Sequence, residues 1–181
     1  MNQALDPPLN PPVHPPTMRP TLRFMLSHPA HLVALGFGSG LSPVAPGTAG
    51  TFWAWAGYLV LQAWLPGKAA IGLAIVLATL VGWWACKVTA EHMRVLDPGH
   101  IVWDEVVAFW LVLWLLMPAG FMTQAAAFLL FRFFDAVKPG PVAWADDLFH
   151  GFGWRGGLGI LLDDFVAAFC TLLVLALWRL L

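Results

Sequence analysis

Residues 156–178 read GGLGILLDDFVAAFCTLLVLALW. Apart from Asp163 and Asp164, this run has the length and apolarity of a membrane helix, which needs roughly 17–25 residues. A second stretch, HIVWDEVVAFWLVLWLLM at 100–117, places Asp104 and Glu105 at the mouth of a similar run. A carboxylate at the centre of a membrane helix costs ~2.5–3.5 kcal/mol on insertion scales. Adjacent like charges add repulsion. The chain has ten acidic residues in all, and four of them stand here. A bound divalent cation offsets the repulsion, so these pairs predict a metal site at a membrane surface.

Composition supports the membrane reading. The 181 residues are 60% hydrophobic and 10% charged, with a mean hydropathy of +0.75. A soluble domain carries about 25% charged residues, so this chain has too few charges to cover a water-facing surface. Its 11 Trp residues suit a membrane–water interface. A net charge of −1 argues neither for nor against a nucleic-acid partner, but the lack of a basic patch interleaved with aromatics argues against one. Cys86 and Cys170 fall in apolar runs and read as small hydrophobes.

Residues 1–22 hold seven prolines and no apolar stretch, which predicts a disordered tail rather than a signal peptide. Residues 23–181 then form one helical membrane domain. Five apolar segments are expected to span the bilayer: 51–65, 69–86, 101–117, 119–134 and 158–180. A short helix is expected to start near His31. The fold class is thus an all-α, polytopic membrane bundle of about five spans, with glycine-rich loops and acidic helix ends on one side. Threading the spans puts seven of the nine Lys and Arg residues on the side that also holds the acidic pairs. By the positive-inside rule that side is cytoplasmic.

Four segments offer chemistry. GFGSGLSPVAPGTAGT at 36–51 reads as a loop able to cradle phosphate or as a plain turn into a helix that Thr48 or Thr51 caps. Ser42 and Thr48 are its candidate phosphate ligands. In DPGHIVWDEVV at 97–107, Asp104 and Glu105 fall in a first helical turn, where the dipole favours acids. In FRFFDAVKPGP at 131–141, Arg132, Asp135 and Lys138 are three apart and would share one face of a continuing helix. Arg132 and Lys138 are candidates for phosphate oxygens, and Asp135 for a metal. In the last segment Asp163 and Asp164 lie too deep to be helix caps. Asp146 and Asp147 read as solvated loop residues. Hard oxygen ligands without motif His or Cys suit Mg²⁺ or Mn²⁺, not zinc, and such a metal with Arg and Lys is the equipment of phosphoryl transfer.

Taken in order, GFGSGLSPVAPGT, IVWDEVV, FRFFDAVKPGPV and GGLGILLDD resemble the bacterial phosphatidylglycerophosphatase A family over nearly all of 28–170. The resemblance implies Mg²⁺-dependent hydrolysis of phosphatidylglycerophosphate at the bacterial inner membrane. It places the family's acidic residues on Asp104, Glu105, Asp135, Asp163 and Asp164, with Arg132 and Lys138 in the same motif. The metal set expected here is Asp104, Glu105, Asp163 and Asp164. Ala108 stands where the family has Gly, and HGFGWR before Gly156 looks like an insertion. Other lipid-phosphate phosphatases, or a cation-dependent transporter, are the alternatives. Charges clustered on one side speak against the transporter. The sequence leaves the oligomeric state open.

Overall fold

The computed structural model describes residues 19–149 and 151–180. Among them all regular structure is helical. Two short helices, α1 (Leu22–Leu26) and α2 (Pro29–Ala34), lead into a 3-10 turn over Gly36–Leu41. The long elements follow: α3 (Pro46–Trp64), α4 (Gly67–Met93), α5 (Trp103–Leu116), α6 (Phe121–Val137), the short α7 (Pro141–Leu148), and α8 (Trp154–Trp178). Each of the five expected spans corresponds to one long helix. Residues 1–18 of the expected tail lie outside the described residues. Thr21 already caps α1, its hydroxyl accepting from Phe24 N.

The bundle is organised around α5, which packs on α3, α4, α6 and α8. Its residues from Trp103 to Trp110 are all buried. A helix that is apolar all round has to be enclosed, and α5 is enclosed by protein. Trp103 and Trp110 are correspondingly buried inside the bundle, whereas Trp114 is partly exposed. The Trp103 indole donates to Ala78 O at 3.0 Å, Trp110 to Ala54 O at 2.7 Å and Trp114 to Lys68 O at 2.8 Å. Gly82 and Gly72 on α4 make room for this: a Cβ at either would run into the ring of Trp103 or Trp114.

Two helices, α4 with 27 residues and α8 with 25, are long and apolar enough to cross a membrane. With 14 residues, α5 rises only about 21 Å, short of a hydrocarbon core of about 30 Å. The outward faces of α3, α4, α6 and α8 are nevertheless apolar. Val60, Leu77, Leu129 and Leu173 are each at least 50% exposed, an apolar surface of the kind that marks membrane or protein contacts.

Two local expectations change. The helix with Arg132 and Asp135 stops at Val137, and Lys138 takes a left-handed C-cap conformation with φ 47°, so it leaves their face. Asp146 and Asp147 belong to α7, not to a loop. Pro141 in the first turn of α7 is compatible with helix because its missing N–H would be unpaired there anyway.

Candidate active site

The four motifs converge at one end of the bundle. From α5 come Asp104 and Glu105, both 8% exposed. From α8 come Asp163 and Asp164, at 7% and 3%. The end of α6 supplies Arg132, Asp135 and Lys138. Oxygen atoms of Asp104, Glu105 and Asp164 lie within 4.8 Å of one another, and so do those of Asp135, Asp163 and Asp164. Asp164 is common to both trios. Asp135, a candidate metal residue outside the four-residue set expected from the sequence, joins Asp163 and Asp164 in the second trio.

Local structure explains how each acid is presented. Val102 precedes α5 and donates its N–H to Ala34 O at 2.9 Å, pinning the start of α5 to the end of α2. Asp104 Oδ1 then accepts the N–H of Glu105 at 3.0 Å, using one of the unpaired donors of a first helical turn. Asp163 and Asp164 have no such backbone donors, because they sit well inside α8. Their neighbours on α8 are small or apolar, and the N-terminal glycines let α8 approach other backbone closely: a Cβ on Gly157 would crowd Lys87 and the Trp83 carbonyl.

Two cations face the acids. Arg132 Nη1 is ion-paired with Asp135, lies 3.5 Å from Glu105 Oε1, and is 3.4 Å from Thr51 Oγ1. Lys138 Nζ reaches Asp163 Oδ2 at 2.7 Å and Asp146 Oδ1 at 2.8 Å. Burial by itself would lower the pKa of Lys138, but its hydrogen bonds to Asp146 and Asp163 raise it above the usual lysine value. Asp146, partly exposed, is therefore a partner of the site as well as a solvent-facing residue.

The negative charge still exceeds the positive. Glu105 Oε2 and Asp163 Oδ1 are buried and lack a hydrogen-bond partner among the described residues. Orphaned anionic oxygens of this kind are expensive in a protein interior. Oxygen-only trios with unpartnered atoms fit Mg²⁺, which takes hard carboxylate ligands. The residues present thus fit the ion that the sequence predicts.

The glycine-rich segment sits beside this cluster. Its bends use positive φ at Phe37 (53°), Gly38 (109°) and Ala45 (47°). Contrary to the expected capping, Ala45 is the N-cap of α3 and no side chain caps it. The Thr51 hydroxyl donates instead to Gly47 O at 2.9 Å, which leaves its oxygen to face Arg132. Gly47 touches the site directly: a Cβ there would collide with Glu105 Oε1 and crowd the Arg132 guanidinium. Thr48 is in the first turn of α3. Ser42 donates to Val44 O at 2.8 Å within the loop. His100 Nδ1 lies 2.8 Å from Gly40 O and ties the loop to the segment before α5.

Comparison with known proteins agrees with the geometry. The family model for phosphatidylglycerophosphatase A matches residues 32–179. The chain belongs to the phosphatidylglycerophosphatase A family. A family member from Escherichia coli K12 is 41% identical over 150 residues, covering 80% of each chain. Another, from Haemophilus influenzae Rd, is 38% identical over 154 residues, covering 84% of this chain and 90% of its own. Both carry the name phosphatidylglycerophosphatase A. No solved structure matches this family member.

Sequence reasoning missed Asp146, Gly47, Thr51 as an Arg132 partner, and a histidine pair away from the site. In that pair His31 Nε2 lies 2.8 Å from His92 Nδ1, while His31 Nδ1 lies 2.9 Å from Phe24 O. One signal for Asp146 was present: Pro139, Gly140 and Pro141 turn the chain back after Lys138, so a residue one or two turns later can return to it.

Proposed function

We propose that this protein is a lipid phosphatase that hydrolyses phosphatidylglycerophosphate to phosphatidylglycerol and inorganic phosphate, in phosphatidylglycerol synthesis. The observation that carries the reading is the convergence of Asp104, Glu105, Asp135, Asp163 and Asp164 with Arg132 and Lys138, in a chain of this family. The two acidic trios would hold Mg²⁺, one ion or two. Bound there, Mg²⁺ supplies charge neutralisation for the phosphoryl group and lowers the pKa of a coordinated water.

The chain's own residues bind and orient the substrate. Arg132 presents a planar fork suited to two phosphate oxygens. Its Nε is buried without a partner among the described residues. Lys138 supplies a second positive charge across the cluster. Thr48 and the N–H groups in the first turn of α3, adjoining Gly47 in the chain, are the candidate donors to a phosphate oxygen, with Ser42, whose hydroxyl donates to Val44 O in this structure, the other candidate of that segment. A carboxylate of the cluster takes the proton of the attacking water. Attack on phosphorus breaks the bond to the glycerol oxygen, which leaves with a proton. If an aspartate attacks instead, labelled phosphate can be trapped on the protein.

The same reading sets the protein in the bacterial inner membrane, with α3, α4, α5, α6 and α8 inserted and the site facing the cytoplasm. The excess of Lys and Arg at the site end supports this orientation. The test is phosphate release from phosphatidylglycerophosphate by the detergent-solubilised protein. Release should stop with EDTA and return with Mg²⁺. Release that ignores EDTA would remove the metal from the mechanism, and no release from the lipid would sink the assignment.

A further inference from the structure

Lys138 is held from two sides. Its Nζ lies 2.8 Å from Asp146 Oδ1 and 2.7 Å from Asp163 Oδ2. The two carboxylates differ in setting: the Asp163 side chain is 9% exposed and Asp146 39%. On the buried side, Asp163 divides its oxygens. Oδ2 takes the lysine, while Oδ1 is buried and unpartnered among the described residues, and Asp163 belongs to the trio with Asp135 and Asp164.

An ammonium is a compact charge on a flexible four-carbon stem. With Asp163 as its sole carboxylate it would settle against both oxygens. Positive charge would then lie beside Oδ1, the unpartnered oxygen that the metal-site reading reserves for a cation. A second carboxylate pulling from the exposed side prevents this. α7 is built to supply it: Gly140 (φ 41°) turns the chain, Pro141 opens the helix, and Val142 and Ala145 are buried. α7 packs on α8, and the residue following Ala145 is Asp146.

We propose that Asp146 is a positioning residue: by holding Lys138 on Oδ2 of Asp163, it leaves Oδ1 open to a divalent cation. This rests on the metal-site reading above and adds a residue outside both trios. Asp146 acts through Lys138, so its effect requires the lysine.

Mn²⁺ binding to the full-length protein in detergent, followed by the electron paramagnetic resonance of free Mn²⁺, tests this without turnover. Asp146→Asn should weaken Mn²⁺ binding about 10-fold, the scale on which outer partners of metal ligands act. Asp146→Glu should recover most of the loss. In a Lys138→Met background, Asp146→Asn should have no further effect. A purely structural role for Asp146 would instead lower the melting temperature and weaken binding equally with or without Lys138. That result overturns the proposal, as does an Asp146→Asn protein that binds Mn²⁺ like the wild type. A wild type that binds no Mn²⁺ overturns the metal reading, and this proposal with it.

Discussion

Asp104 and Glu105 occupy the first turn of α5, whereas Asp163 and Asp164 lie deep within α8. The first pair has backbone help: the Glu105 N–H donates to Asp104, and the helix dipole favours acids at that position. Arg132 stands 3.5 Å from Glu105. The second pair has neither donors nor dipole. Its support is a side chain from another element, Lys138, on Asp163. Acids at a helix start are partly stabilised by the fold whether or not a ligand comes. Acids in the middle of a helix are there at a cost that only a ligand or a counter-ion offsets. The α8 pair therefore owes less to its own helix than the α5 pair: Lys138 offsets Asp163, and Asp164, shared by both trios, is the acid that most needs a ligand.

The largest effect should follow from removing that acid. Asp164→Asn should lower phosphate release on the order of 10³-fold, the upper range for removing one preorganised electrostatic group. Asp104→Asn, which touches one trio, should cost on the order of 10²-fold. Equal losses in a side-by-side assay of the two variants would show that catalysis depends on the α5 pair no less than on the α8 pair. A smaller change probes the α5 side alone. Gly47→Ala puts a methyl group where Glu105 Oε1 and Arg132 now lie. Displacing both by about 1 Å should cost about 10²-fold in kcat, with membrane insertion intact. Near-normal kcat in Gly47→Ala would mean that the Glu105–Arg132 geometry is not critical.

The same contrast shows what could be read in the sequence. The long helices were legible because each is a long, predominantly apolar run. Their ends were less so. α4 continues past 86 to Met93 because Lys87 and Glu91 pair along the helix at 3.2 Å and Thr89 and Ala90 are buried. The site acids were legible because charges in such runs demand a reason. The central place of α5 was not, since a helix apolar on every side looks the same in lipid and in protein. Nor was Asp146, whose partner is set by a turn and a short helix. The His31–His92 contact joins residues 61 apart and leaves no local pattern.

The smallest effect concerns the counter-ion of the α8 pair. The pKa of Lys138 is raised in the folded protein by Asp146 and Asp163. A raised lysine contributes stability that is fully present below its unfolded value, about 10.4, and is lost as pH rises through the folded value. The melting temperature in detergent should therefore be higher for wild type than for Lys138→Met by a constant margin from pH 7 to about 10. The margin should shrink at higher pH. A margin that instead disappears between pH 6 and 8 would place the titrating group elsewhere in the cluster. The lysine would then not be what steadies Asp163, and the α8 pair would depend on its metal alone.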